Sequence, residues 1–415
     1  MQPTINAVRC CAWGILGAVA LYAAAAHADS YHYNNILIGD RAAGLGGAYS
    51  AISDDPSGLY YNPAGIALAA GASLNGSVNA YSSTFSEYKN VFGDKSWKRE
   101  SSGLIPNFFG LIQPFAGGMA GFSVVVTDAV ADDQDQRFSN FTPTGGADPN
   151  KDYYVNDFYI NFNNQDTTYN IGPSFAFKPR DDVAVGLSLY GHYRKQQFIL
   201  NQQVYRRNGE QIWTNGYFQI VEYGINPVLG LMWSPLDRLS VGLSLRKTIV
   251  LQSSSRRQVT NKDADATVIV QPTIDTSTVR RDRPLQLNLG SAYFANDRLL
   301  FSGDLTWNQS VGNSQAVLNF ALGSEFYLNS QWALRAGLFS NLANTPALSA
   351  TKTGQLEHVD LYGGSFSVTN FTRNSSLSVG VNGSVGNGQA QVLASGVQEL
   401  QVWTLTTFIA ASNSF

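Results

Sequence analysis

The chain has 415 residues, of which 44% are hydrophobic, 12% aromatic and only 14% charged. This composition excludes a disordered protein, and a net charge of −3 without a basic cluster gives no support for nucleic-acid binding. Neutral polar residues supply most of the polarity, which fits the wall of a membrane barrel better than the charged surface of a soluble domain.

The first 28 residues have the pattern of a secretory signal peptide. Arg9 precedes an apolar run, and residues 26–28 form an A-x-A cleavage site. An uncleaved membrane anchor is the alternative, and the cleavage site argues against it. Both cysteines, Cys10 and Cys11, lie in this segment, so the mature chain would have no disulfide and no catalytic thiol. We expect an exported protein.

Residues 29–70 do not alternate between apolar and polar positions. Their glycines and prolines predict a short helix over 45–52, a turn at 53–56 and a second short helix. A segment of this length could plug a barrel from the periplasmic side, and a glycine-rich periplasmic loop is the alternative. The run over 44–47 lacks the spacing, the preceding strand and the lysine of a nucleotide-binding loop.

Alternating apolar residues recur from residue 72 onward, in pairs of stretches that flank short turns. Apolar residues alternate from Tyr169 to Phe177, for example, and again from Val183 to Leu189. We count fourteen such strands, and the even number places both barrel ends in the periplasm. A soluble β-sandwich or propeller would need a charged outer face, whereas the second face here is largely uncharged.

The connections support a barrel rather than membrane helices. The apolar stretch 101–127 contains Pro106, Pro114 and a glycine pair, so it cannot form a membrane-spanning helix. Short turns at one end and long loops at the other are typical of an outer-membrane barrel, and we expect the polar segments 128–165, 197–216, 255–276 and 341–357 to be outer loops.

The predicted fold class is an all-β transmembrane barrel of about 14 antiparallel strands, with a small N-terminal α-helical hatch in the lumen. Its divisions are a signal peptide (1–28), a hatch (29–70) and the barrel (71–415). Such a barrel would lie in the outer membrane of a Gram-negative bacterium, in contact with lipid and lipopolysaccharide. Its terminal Phe415 is the aromatic end that the outer-membrane assembly machinery recognises.

The segment before the first strand resembles the FadL/TodX family of outer-membrane transport proteins for hydrophobic compounds. The matching elements are Gly47-Ala48-Tyr49-Ser50-Ala51, Asp54-Asp55 and Asn62-Pro63-Ala64-Gly65. The resemblance implies a fourteen-stranded barrel, a hatch that moves, an apolar ligand pocket and sideways release through a gap at a kinked third strand. Tyr60 and Tyr61 before Asn62 look more like the broad family than like its fatty-acid branch.

Strand parity predicts which large side chains point into the lumen. Tyr190, Met232, Phe294 and Phe339 are unusual inward apolar residues that would either line a ligand pocket or pack on the hatch. We expect the inward charges to anchor the hatch or to hold lumen water, and these are Glu222, Asp304, Glu325 and Arg335.

Enzymatic and metal sites have little support in the sequence. His192 lies inward on a strand without a nucleophile motif, so we predict no catalytic residue and no enzyme. The acidic run over 128–136 could bind a divalent cation, but solvated loop charges are the simpler interpretation. We therefore predict no metal and no cofactor.

Three functions remain. The first is uptake of hydrophobic compounds, such as long-chain fatty acids or aromatic and aliphatic hydrocarbons. The second is a non-transporting barrel that binds protein partners in a structural or secretion system. The third is a general porin, against which the uncharged interior face argues.

Overall fold

The computed structural model describes residues 31–92, 94–143, 153–262, 273–278, 282–393 and 396–415. The predicted signal peptide lies outside the described residues. An N-terminal segment (residues 31–72) contains two helical turns, α1 (Arg41–Gly44) and α2 (Gly58–Tyr61), and a 3-10 helix (Pro63–Leu68). No helix in the described ranges is long and apolar enough to cross a membrane.

The described residues after this segment form one antiparallel sheet of seventeen strand stretches. In chain order they are β1 (Ser73–Phe92), β2 (Lys95–Phe115), β3 (Gly118–Phe141), β4 (Val155–Arg180), β5 (Val183–Arg206), β6 (Gln211–Leu236), β7 (Leu239–Lys247), β8 (Ile249–Lys262), β9 (Thr273–Ser277), β10 (Leu285–Asn296), β11 (Leu299–Asn308), β12 (Val317–Asn329), β13 (Trp332–Asn341), β14 (His358–Val359), β15 (Leu361–Phe371), β16 (Ser375–Ala390) and β17 (Gln398–Ser414).

Three strands of the barrel are each interrupted, so that each is divided into two of these stretches. β7 and β8 both pair with β6, and their other partners are β10 and β9. β14 and β15 both pair with β16. Each of these three pairs therefore forms one barrel strand, and the described chain has fourteen.

The barrel is closed because β1 pairs with β2 on one side and with β17 on the other. The first and last strands run together from Ser73 opposite Ser414 to Lys89 opposite Glu399. At the end of the barrel near Ser73 and Ser414, consecutive strands are joined by tight turns. β6 and β7, for example, are separated by two residues. The predicted closed, fourteen-stranded antiparallel barrel is confirmed.

An apolar belt surrounds the outside of the wall. On β4, Tyr169, Ile171, Phe175 and Phe177 face outward and are exposed, whereas the even-numbered residues from 170 to 176 face inward and are buried. Tyr169 contacts Tyr193, and Tyr193 contacts Tyr223, with ring centroids 6.3 and 5.3 Å apart. This row of tyrosines marks one edge of the belt, as aromatic girdles do in membrane barrels.

The strands continue well beyond this tyrosine row, so three of the four predicted outer loops are wrong. Residues 128–141 belong to β3 and 155–165 to β4, and strands also occupy most of 197–216 and much of 255–276. Only 341–357, after its first residue, is free of strand.

The reason is that beyond the belt the apolar residues face the inside. Phe92, Phe138, Phe141 and Phe158 pack there with ring centroids 4.4 to 6.0 Å apart, while the outward positions are polar. The extension of β1–β5 thus has its own aromatic core.

Candidate functional site

The N-terminal segment lies inside the barrel, against the inward faces of many strands. Leu45 and Tyr49 pack on Ala292 and Leu300, which face inward from β10 and β11. Other clusters join the segment to β2 through β6, and their completely buried segment residues are Ile38, Leu59, Ala64 and Ile66.

The local structure of this segment differs from the prediction. The first helical turn is Arg41–Gly44, and residues 45–52 form turns, so the predicted helix over 45–52 is wrong. Gly46 and Gly47 have φ angles of +66° and +88°, which a right-handed helix cannot contain. The second predicted helix is present as α2.

Glycines on the inner wall make room for the segment. Three cross-strand pairs face it: Gly186 with Gly230, Gly242 with Gly290, and Gly323 with Gly337. A Cβ atom at any of the six positions would collide with or crowd the segment. At Gly323, for example, it would lie 2.9 Å from the Cβ of Leu45. The segment backbone therefore rests directly on the backbone of the wall.

Ion pairs fix the first helical turn to the wall. Arg41 donates from Nη2 to Glu325 at 2.7 Å and from Nη1 to Asp54 at 2.7 Å. Arg335 donates to the same Glu325 at 2.8 Å. Glu325 is completely buried, and the two arginines compensate its charge there.

The motif residues form a second group of contacts. The backbone N–H groups of Tyr49 and Ser50 donate to Asp304 at 3.1 and 2.9 Å. Asn62 donates to the carbonyl oxygens of Ser50 at 2.7 Å and Leu231 at 3.1 Å, and its own oxygen accepts from Ala64 N–H at 3.2 Å. Asn62 thus caps the 3-10 helix and ties it to β6.

The remaining motif residues shape the turn between the two helical turns. Asp55 accepts from Ser57 N–H at 2.8 Å. Burial, together with the neighbouring Asp40 and Asp54, raises the pKa of Asp55 to about 6. A Cβ atom at Gly65 would overlap Ser53, so only glycine fits there. Ala48, Pro63 and Ala64 are buried, and Gly47 is partly buried.

The four predicted pocket residues lie in different places. Tyr190 and Met232 are buried against the N-terminal segment: the hydroxyl of Tyr190 donates to Leu59 O at 2.8 Å, and Met232 packs on Ala64. Phe294 is 38% exposed, near the tight turn after β10. Phe339 alone among them borders the cavity described next.

A cavity of about 320 Å³ lies between residues 31–37 and the wall. Its lining includes polar side chains of β1, β2 and β3 together with Ile36, Leu104 and Val130. Phe339 separates it from a smaller cavity of about 60 Å³ beside Tyr60 and Tyr61. The volume of the larger cavity is at the lower end of the range for small-molecule sites.

The wall beside this cavity is open. β2 and β3 pair where Ser101 lies opposite Asp132, and again from Phe108 opposite Val125 to the turn that joins the two strands. In between, residues 102–107 of β2 do not pair with residues 126–131 of β3, and all of these residues are described. Pro106 has no N–H to donate, and β3 has a bulge between Val126 and Asp128. Both edges of this gap line the cavity.

The gap lies at the outer edge of the apolar belt. Asp128, on one edge of the gap, pairs with Thr168, next to Tyr169 of the tyrosine row. Residues 34–37 run past the gap, where Asn107 donates to Leu37 O at 3.2 Å and Asn35 donates to Asp128 at 3.5 Å. The gap therefore leads from the cavity to the edge of the apolar belt.

One end of the cavity carries a compact charged cluster. Arg99 pairs with Asp132 at 2.8 Å and with Glu357 at 3.6 Å, and it also donates to the Tyr88 hydroxyl at 2.9 Å. Its guanidinium group lies 4.7 Å from the ring centroid of Phe162. Among the described residues, no group of three acidic, histidine or cysteine side chains could hold a metal ion.

No protein-family model matches the chain, and no curated protein sequence matches it significantly. Solved structures do match. The P. putida toluene transporter TodX superposes with a TM-score of 0.64 at 13% identity, over 91% of this chain and 98% of that one. A Pseudomonas aeruginosa FadL homologue gives 0.61 at 15% identity, over 92% and 100%. The Ralstonia pickettii toluene transporter TbuX gives 0.61 at 15% identity, over 92% and 99%.

The chain has the FadL/TodX fold. The fold implied by the resemblance of residues 47–65 is thereby confirmed over nearly the whole length of the chain.

Three parts of the structure do not follow from the residues alone, although two left a signal, and the gap was implied only by the family resemblance. The glycine pairs stand at inward positions of alternating strands, where a lumen filled with water would not require them. Pro106 inside an alternating stretch is typical of a break in strand pairing. The cluster of Arg99, Asp132 and Glu357 joins three distant parts of the chain, and nothing in their spacing indicates it.

Proposed function

We propose that this chain is a passive transporter that takes up hydrophobic compounds across the outer membrane of a Gram-negative bacterium. The observation that carries the proposal is the cavity of about 320 Å³ whose wall is open between β2 and β3 at the edge of the apolar belt. Each buried methylene of a solute gains about 0.8 kcal/mol, so a path from cavity to membrane lipid favours an apolar solute over a polar one.

In this proposal residues 29–70 act as a hatch that closes the lumen. Their support is the close fit of the segment to the six inward glycines and its ion pairs to Glu325. A polar solute would meet packed backbone below the cavity, so the barrel would not serve as a general porin.

The solute would enter from outside and leave sideways. Residues 31–37 line the cavity and run past the gap, and they are held there mainly by neutral side-chain amides. A small shift of these residues would open the cavity toward the belt. We therefore place the hatch movement in this part of the segment.

The remaining proposed contacts follow from the location. The belt would be covered by lipid and lipopolysaccharide. Phe415 is 72% exposed at the end of β17, where the assembly machinery could bind it. The proposed process involves no covalent step and no cofactor, so we assign no enzymatic role. TodX and TbuX, which share the fold, are toluene transporters.

The gap can be tested by filling it. A side chain built at Gly103 would meet open space between β2 and β3, so Gly103→Trp should obstruct the gap without disturbing the fold. The matched control is Gly364→Trp on β15, outside the cavity lining, where a Cβ atom makes only ordinary contacts, the nearest at 3.4 Å. We expect vesicles containing Gly103→Trp to take up labelled toluene at least about fivefold more slowly than wild type or the control.

Two results would contradict the proposal. Equal uptake by Gly103→Trp would remove the gap from the path. Wild-type uptake no faster than that of empty vesicles would remove transport altogether. A non-transporting barrel that binds a protein partner through the extension of β1–β5 would then become the better interpretation, because that extension presents a long outer surface.

A further inference from the structure

The charges around the cavity bear on the class of compound that it can hold, provided that the proposed transport function is correct. Four charged side chains line the cavity: Arg99 and the carboxylates of Asp128, Asp132 and Glu357. The cavity lining therefore has an excess of negative charge. His32, which also lines it, lies 2.7 Å through Nε2 from the carbonyl oxygen of Val359.

The one arginine of this lining is already compensated. Its two terminal nitrogens are engaged by Asp132 at 2.8 Å and by Glu357 at 3.6 Å, and the second nitrogen also donates to Tyr88. Nε is buried and is not reachable from the cavity, so the second N–H of Nη2 is the donor that is left. The guanidinium group therefore has no pair of N–H groups left for a bidentate bond to an incoming carboxylate.

A ligand carboxylate in this cavity would have to displace Asp132 or Glu357 from Arg99, or lie close to them without a cation of its own. The carboxylates of Asp132 and Glu357 have only 8% and 12% of their side chains exposed, so solvent screens them poorly. Like charges at such sites repel strongly, and a desolvated anion without a partner is costly. An uncharged solute meets neither penalty.

We propose that the cavity selects uncharged apolar compounds and rejects their carboxylate counterparts. The ligand class is therefore neutral hydrocarbons or alcohols rather than fatty-acid anions. The selectivity arises from the two carboxylates that occupy Arg99, together with Asp128.

The test compares two ligands of equal chain length, decan-1-ol and decanoate, at pH 8. Binding to the purified barrel in lipid nanodiscs is measured with empty nanodiscs subtracted. We expect the wild type to bind decan-1-ol at least about tenfold more tightly than decanoate.

A pair of double variants locates the cause. Asp132→Asn with Glu357→Gln leaves Arg99 without its counter-ions, so the decanol-to-decanoate affinity ratio should fall to about one or below. The control, Asp182→Asn with Glu399→Gln, removes the same charge from exposed positions away from the cavity and should keep the wild-type ratio. Binding of decan-1-ol itself shows that each variant is folded.

The outcomes separate the two proposals. Wild-type binding of decanoate as tight as that of decan-1-ol would overturn the charge selectivity and leave the transport function intact. An unchanged ratio in the Asp132 and Glu357 variant would also overturn it, because the selectivity would then have another source. Binding of neither ligand would overturn the proposed function, and this inference with it.

Discussion

The two parts of the N-terminal segment are held by different forces. Residues 41–68 rest on the inward glycine pairs and are fixed by the ion pairs of Arg41. Residues 31–37 are held by side-chain amides, such as Asn341 donating to Asn34 O at 3.1 Å. A neutral hydrogen bond contributes about 1 kcal/mol net, whereas seated backbone cannot shift without a collision. The comparison predicts that residues 41–68 are the harder part to displace and that residues 31–37 are the easier part.

Removing both parts should give the largest effect. Deletion of residues 29–70 would leave a lumen wide enough for water and ions, because fourteen-stranded barrels are too large for wall side chains alone to fill. We expect planar-bilayer conductance to rise from near zero to that of an open pore. If the deleted and wild-type barrels conduct equally, the segment does not close the lumen.

Disturbing only residues 41–68, which we call the seated part, should give the next largest effect. Gly186→Leu would drive a side chain into the backbone of Pro63 and Ala64. Overpacking of this kind costs up to about 3 kcal/mol, or about a hundredfold in the fraction of displaced segment. Limited proteolysis of residues 31–72 measures that fraction.

The control for this variant is Gly303→Leu, which faces lipid on β11 and meets only the flexible end of Leu322 at 3.3 Å. Equal protection of the segment in both variants would mean that the glycine pairs do not position it.

Removing an ion pair should have a smaller effect. Arg41→Met deletes the hydrogen bonds to Glu325 and Asp54, while Glu325 keeps its bond to Arg335. Hydrogen bonds to charged groups contribute about 1.5–3 kcal/mol, so we expect cleavage of the segment about tenfold faster than in wild type. Arg180→Met, which breaks a pair with 73% of the arginine side chain exposed, should leave the rate unchanged. The same acceleration in both would show that the effect is not local.

The smallest expected effect is that of pH on the seated part. The pKa of Asp55 is raised to about 6 by burial and by Asp40 and Asp54. The packed segment therefore binds more protons than the displaced one between about pH 4 and pH 6, so its stability falls as the pH rises through this window and is constant above it. We expect cleavage of the segment about threefold slower at about pH 5.7 than at about pH 7.5. Asp55→Asn should reduce the difference, and an unchanged difference would assign it to another group.

Most of the barrel could be predicted from the sequence because the membrane imposes a simple rule. Alternation from Tyr169 to Phe177 and its equivalents places apolar residues toward lipid, and the number of strands follows from counting such stretches. Above the belt the rule reverses: Phe158 and Phe162 face inward and polar residues face water. A strand above the belt has polar residues on its outer face and no lipid-facing apolar residues, so its sequence resembles that of a polar loop.

The candidate site was predicted less completely. The motif over 47–65 lies in the segment that packs on the inner wall, and the backbone N–H groups of Tyr49 and Ser50 donate to the inward Asp304. The family resemblance implied a gap at the third strand, but its position depends on a failure of pairing over six residues of β2, which no local pattern shows. The cluster at Arg99 depends on Glu357, more than 250 residues away along the chain, and no local pattern encodes such a meeting.

The central claim is that apolar cargo leaves past residues 31–37 while residues 41–68 stay in place. Two tethers separate these parts, and the only two cysteines of the chain lie before residue 29. Asp40→Cys with Ser378→Cys, joined by a short thiol cross-linker, would hold the start of the seated part to β16, since the two native side chains lie 3.0 Å apart. Asn34→Cys with Asn341→Cys, joined by a short thiol cross-linker, would hold residues 31–37 to β13. We call this second pair the upper tether and the first pair the lower tether.

The measurement is the uptake of labelled toluene by vesicles containing each tethered barrel, with and without the cross-linker. The account predicts unchanged uptake with the lower tether and at least about tenfold slower uptake with the upper one. Loss of uptake with the lower tether, and normal uptake with the upper one, would contradict it.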